Sequence, residues 1–183
     1  MHIEPLAIHC VKILTPQLYA DERGYFCETW SAAAFARAGL PDHFVQDNHA
    51  SSIKAGTVRG LHYQKNPHAQ GKLVRVVRGS IIDVAVDLRR SSPSYGQHVS
   101  VLLSADNKRQ MWVPPGFAHG YATLDPNTDV IYKVTHGYAP GTEGGILWND
   151  PALAIDWQLN GLIPVLSEKD KRLLPLAQTD HGF

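Results

Sequence analysis

Between residues 72 and 89 the chain reads KLVRVVRGSIIDVAVDLR, two runs in which apolar side chains recur at alternate positions on either side of Arg78-Gly79-Ser80. A period of two is that of a strand whose side chains point to opposite faces. The break between the runs predicts a β-hairpin. Shorter runs of the same kind predict strands at 8–14, 99–103, 111–113, 120–123 and 130–135. Turn formers separate them in SSPSYG, SADNK, VPPG, LDPN and YAPGTEGG. Helical signals are few. Ser31, the run AAAFARA and then Gly39 read as an N-cap, a short helix and a glycine stop. Ser167 followed by EKDKRLL reads as a second helix. Many short strands with a few short peripheral helices predict a mainly β sandwich or barrel. The length of 183 residues fits one domain spanning 1–183.

Composition narrows the partners. Lys and Arg number 17 and so do Asp and Glu, for a formal net charge of zero. Such a chain has no general pull toward nucleic acid or an anionic membrane, so neither is expected as a partner, and an anionic ligand has to be met by a local basic cluster. Two cysteines, Cys10 and Cys27, form neither a disulfide framework nor a zinc pattern, and reduced thiols are expected. No apolar run approaches the roughly 18 residues of a membrane helix. The opening MHIEPLAIHCVKI carries Glu4 and no basic stretch, which is unlike a secretory signal, so a cytoplasmic location is expected.

Three stretches place polar residues in runs that otherwise favour apolar side chains. VRGLHYQ carries Arg59 and His62, Lys72 shares a strand face with Val74 and Val76, and Tyr132 shares one with Val130 and Val134. Each has an ordinary reading: a lysine reaching water along its stem, a packed tyrosine, a structural histidine. Taken together they are a base, a cation and a phenol. A neutral imidazole near its reference pKa of about 6.5 is a competent base, and an ammonium stabilises an oxyanion. That set suits proton abstraction next to a carbonyl through an enolate.

The segment PPGFAH, ending at His119, resembles the second cupin motif, a turn that delivers a histidine into a β-barrel. In metal-binding cupins a His-x-His pair and a Glu complete the site. Here the pair reads His62-Tyr63-Gln64, and Lys72 stands where the Glu is expected. A fixed cation repels a metal that carboxylate and imidazole would bind. The resemblance therefore implies a cupin, a double-stranded β-helix (jelly-roll) barrel, with neither metal nor other cofactor.

Longer motifs, from about Leu14 to Leu176, are similar to the dTDP-4-dehydrorhamnose 3,5-epimerase family. They include DERGYFCETW, VQDNHASS, VRGLHYQ, VPPGFAHGY, GTEGGILWNDPALAIDW and LSEKD. The family implies an isomerase acting on dTDP-4-dehydro-6-deoxy-D-glucose, whose 4-keto group acidifies the hydrogens on C3 and C5. By this resemblance His62 is the base, Asp170 the carboxylate behind it, Lys72 the cation at the enolate oxygen, and Tyr132 the acid on the opposite face. His119 contacts the sugar, Arg23 and Arg59 meet the diphosphate, and Tyr138 stacks on thymine. Glu28, Gln46, Asp47, Asn48, Glu143 and Lys169 match ligand-contacting positions. A homodimer is implied as well. Ala50, Thr57 and the sequence DWQL depart from the usual family pattern without removing a chemical group.

Strict alternation sends Arg59 and His62 to opposite faces of a strand. Either Gly60 marks a bulge or Arg59 serves the ligand from a strand end. The alternatives to double epimerisation are a monofunctional 3- or 5-epimerase or keto-isomerase on a related dTDP-4-keto-6-deoxy sugar, a metal cupin, and a non-catalytic nucleotide-sugar binder.

Overall fold

The computed structural model describes residues 1–183. A six-stranded antiparallel sheet runs in the order β1 (His2–Pro5), β2 (Lys12–Thr15), β10 (Gln110–Val113), β7 (Lys72–Arg78), β12 (Thr128–Val134) and β5 (Gln46–Ser52). A five-stranded antiparallel sheet is ordered β13 (Glu143–Gly145), β6 (Val58–Gln64), β11 (Phe117–Thr123), β8 (Ser80–Asp87) and β9 (His98–Ser104). The remaining strands, β3 (Leu18–Asp21) and β4 (Gly24–Cys27), pair only with each other.

The two large sheets face one another across a common core. Val74, Val76, Met111 and Val130 from the first pack with Ile81, Ala85, Val99 and Phe117 from the second. Strand β8 is buried on both faces, because Ile82, Val84 and Val86 lie against a second cluster that includes Leu153 and Trp157 of the C-terminal segment. A third cluster, Leu14, Phe35, Leu40, Leu73 and Trp112, seats helix α1 (Ala32–Arg37) on the outside of the six-stranded sheet. Ser31 caps that helix as expected, its hydroxyl accepting from the Ala34 N–H.

Three expectations are corrected. Strands β7 and β8 do not form a hairpin; each pairs in a different sheet. No residues are left over for a two-residue turn, so Gly79 makes a corner, with φ +76° and Thr128 Oγ1 2.4 Å from where a Cβ would stand. The run 8–14 is a strand only from Lys12, since Ile8 and Val11 close a turn through a Val11 N–H to Ile8 O bond of 2.8 Å. The helix expected from Ser167 is a single 3₁₀ turn, Asp170–Arg172. Pro175 disfavours helical backbone just before it, and Leu173 is already extended.

Candidate active site

Alternation along β7 turns Lys72 inward with Val74 and Val76, while Leu73 faces α1. Lys72 ends beside a cavity of about 430 Å³, walled also by His62, His119, Tyr121, Tyr132 and Asp170. An adjoining hollow of about 280 Å³ shares His62, Lys72 and Tyr132 and continues past Gln46, Asn48 and Gln64 to Tyr138 and Glu143. His62 and His119 come from the five-stranded sheet, Lys72 and Tyr132 from the six-stranded one. Imidazole and phenol therefore approach the cavity from opposite walls.

The question posed by VRGLHYQ resolves in the register between β6 and β11. His62 stands opposite His119 and Arg59 opposite Tyr121, three steps along one strand against two along the other. The extra residue is a bulge, which shifts the pleat by one and brings both side chains to the same cavity. Only glycine fits there. At Gly60, φ is +115°, and a Cβ would lie 2.7 Å from Gly120 Cα and from His119 O.

His62 Nε2 lies 2.5 Å from Asp170 Oδ1. The Asp170 N–H donates to Ser167 Oγ at 3.1 Å, which fixes the 3₁₀ turn that presents the carboxylate. Burial by itself would raise the Asp170 pKa, but the His62 contact, the Ser167 hydroxyl and Lys169 together hold it below the ordinary carboxylate value. An ionised carboxylate only accepts, so Nε2 carries the hydrogen and the imidazole lone pair sits on Nδ1, which has no partner in the chain. Lys72 likewise makes no hydrogen bond or ion pair. Burial pulls its ammonium down to about 8, against the opposing pull of Asp83 and Glu143. Burial raises the Tyr132 phenol, so it stays protonated at neutral pH.

Two neighbours were not anticipated from sequence. Asp83, fully buried on β8, lies 2.7 Å from His119 Nε2 through Oδ1, while its Oδ2 has no partner. Burial, reinforced by Lys72 and His62, keeps His119 below the usual imidazole range despite that carboxylate. A carboxylate with apolar neighbours on both sides, in IIDVAV, was the available signal, since an unpaired buried charge is costly. Tyr121 brings a second unpartnered group to the cavity wall, its buried hydroxyl.

The remaining expected residues divide. Gln46 and Asn48 line the inner hollow and are joined by a 2.7 Å bond from Gln46 Nε2 to Asn48 Oδ1. Asp47, between them, points to the other face of β5 and pairs with Lys133 at 2.9 Å. Tyr138 donates to Glu143 Oε2 at 3.0 Å, and Glu143 Oε1 lies 2.6 Å from Lys169 Nζ. Arg59 extends over β5, its guanidinium donating to Ser51 O and Ser52 Oγ. Arg23 and Glu28 do not reach this cavity within the chain. Arg23 sits exposed at the tip of the β3–β4 hairpin, paired with Asp21 at 2.5 Å, and Glu28 is exposed just beyond β4. No three His, Cys, Asp or Glu side chains converge on a point that could hold a metal ion.

A β-barrel that sets a carboxylate-backed imidazole across from an unpaired ammonium and a protonated phenol is a cupin-type barrel equipped for acid–base chemistry at carbon. The family model for dTDP-4-dehydrorhamnose 3,5-epimerase matches residues 5–178, and the chain belongs to that family. It is 51% identical over 176 residues to dTDP-4-dehydrorhamnose 3,5-epimerase from Pseudomonas aeruginosa, covering 96% of each chain. An epimerase from Legionella pneumophila, solved in complex with dTDP-4-keto-L-rhamnose, superposes with a TM-score of 0.93 at 47% identity, covering 98% of this chain and 94% of that one. A 3′-monoepimerase from Streptomyces bikiniensis, in complex with dTDP-quinovose, has the same fold at 31% identity and TM-score 0.89, covering 95% and 87%. No helix is long and apolar enough to cross a membrane.

Proposed function

We propose that this chain converts dTDP-4-dehydro-6-deoxy-D-glucose to dTDP-4-dehydro-L-rhamnose, by removing and returning a proton at C3 and again at C5. The observation that carries this reading is the 2.5 Å His62–Asp170 contact beside the free Lys72 ammonium, in a member of this family. His62 Nδ1 takes the proton from the carbon next to the 4-keto group. The C–H electron pair moves to form the enolate, and its oxygen is stabilised by Lys72. Tyr132 delivers a proton to the opposite side of the same carbon, inverting it. C3 and C5 both flank C4, so one cation serves both enolates. His119 contacts the sugar next to the keto oxygen. No metal takes part: Lys72 supplies the positive charge at the oxygen, and Gln64 stands where a metal ligand would be needed.

Arg59, Tyr138, Glu143, Lys169, Gln46 and Asn48 surround the nucleotide. Arg23, Glu28 and Asp47 serve the ligand from a second copy of the chain. The hairpin that carries Arg23 exposes Tyr19, Tyr25 and Phe26 at 64%, 56% and 68%, a patch suited to burial in a homodimer. The cytoplasm is the proposed place of action, in keeping with free thiols at Cys10 and Cys27.

The 31% identical monoepimerase supports a second reading, inversion at one carbon only. Incubation with the keto sugar in D₂O separates the two. Deuterium at both C3 and C5 is expected, and Tyr132→Phe is expected to slow inversion at both, since the same phenol returns each proton. Label at a single carbon with the unaltered chain would make it a monofunctional epimerase.

A further inference from the structure

Tyr138 reaches the cavity rim on residues 136–139, a segment that follows β12 without belonging to a strand. Glutamine side chains hold its backbone. Gln70 Nε2 donates to His136 O at 2.7 Å. Gln64 Nε2 donates to Gly137 O at 3.2 Å, an oxygen that His136 Nδ1 also meets at 3.1 Å. Gln64 Oε1 accepts from the Ala139 N–H at 2.8 Å, and Gln46 Oε1 from the Tyr138 N–H at 3.1 Å. Gln64 further donates to His68 O at 2.8 Å, tying the loop after β6 to the same point.

Both Gln64 amide hydrogens are thereby donated and its oxygen accepts one, at a residue only 4% exposed. It lies two positions beyond His62 on β6 and opposite Glu143 in register. A buried amide with both hydrogens committed to main-chain carbonyls of two loops has no donor left for a ligand. We infer that Gln64 is a positioning residue for nucleotide binding, which sets Tyr138 at the rim through the 137–139 backbone, with Gln70 as an outer strut. This rests on the reading that Tyr138 stacks on the thymine ring. The choice of side chain follows from the neighbours. A carboxylate would face two carbonyl oxygens and donate to neither, an ammonium would accept from no N–H, and both would set a charge beside the His62–Asp170 pair. An uncharged amide avoids these conflicts.

Gln64→Glu tests the inference, because it keeps the shape and removes the donors. The probe is dTDP, titrated by calorimetry, with kcat and KM for the keto sugar measured in parallel. At about pH 8 the variant is expected to bind dTDP about tenfold more weakly, the effect of losing about one net hydrogen bond to a buried group, with a matching rise in KM and kcat little changed. At about pH 5.5 the new carboxyl begins to take a proton and donate, so affinity recovers in part relative to the unaltered chain at the same pH. That comparison removes the titration of Glu143, His68 and His136, which lie around the same amide. Gln70→Ala, at a half-buried position, is expected to shift affinity the same way by less. Undiminished dTDP binding in Gln64→Glu at pH 8, or in Gln70→Ala, overturns the inference alone. Failure of the unaltered chain to bind dTDP defeats the functional reading together with it.

Discussion

His62 and Asp170 are 108 residues apart in sequence and 2.5 Å apart in space. One sits on a central strand behind a bulge. The other sits on a 3₁₀ turn of the C-terminal segment, and the two meet at the cavity wall.

Asp170→Asn keeps the shape of that contact but puts an amide where a charge held the imidazole tautomer. We expect kcat to fall by about 10²–10⁴-fold, with His62→Ala at least as damaging. Deuterium wash-in at C3 and C5 is the direct measure. Unchanged wash-in in Asp170→Asn would remove the carboxylate from the mechanism.

Lys72 predicts the alkaline limb. Its ammonium is lowered to about 8, so the charge that stabilises the enolate is lost as pH rises past that value, and kcat/KM is expected to fall there. Lys72→Met should cost on the order of 10²–10³-fold in rate. It should also raise stability below about pH 8, since the folded chain then no longer buries an unpaired cation. Denaturant midpoints and a pH–rate profile test both; a stability loss in Lys72→Met would mean that the ammonium has a partner in solution.

Stability should fall on the acid side in two stages. His119, His98 and His181 are all held below the imidazole reference, chiefly by burial. The unfolded chain then binds more protons, so stability declines as pH drops through about 6.5. Asp170 and Asp87 have the lowered carboxylate values of charged, hydrogen-bonded groups, and their contribution is lost only below about 4. Urea midpoints in His98→Gln should decline less across the first stage than those of the unaltered chain.

If Arg23 serves the partner's cavity, Arg23→Ala and His62→Ala proteins should each be weak or inactive, and mixing them should restore part of the activity through mixed dimers. Light scattering should give twice the chain mass. Mixtures that stay at the sum of the separate activities would confine Arg23 to its pair with Asp21.

Much of this protein can be read directly from residue order. Alternation predicts β7, β9 and β12 because a half-buried strand has to turn every second residue to the core, and it turns Lys72 and Tyr132 inward with the valines beside them. Strand β5, written QDNHASS, has no such pattern. It becomes a strand by pairing with β12, and only that pairing turns Gln46 and Asn48 one way and Asp47 the other.

The rest depends on contacts between residues far apart in sequence. Whether the run at Gly79 folds back or crosses to another sheet depends on partners supplied by β10, β11 and β12, which no local signal names. The bulge at Gly60 is a relation between two strands, so either strand alone leaves Arg59 and His62 on opposite faces. Asp83 behind His119, and the three glutamines behind Tyr138, are legible only once distant backbone is brought to them. Local order decides which way a side chain points, but what it meets there is decided by the packing of the whole chain.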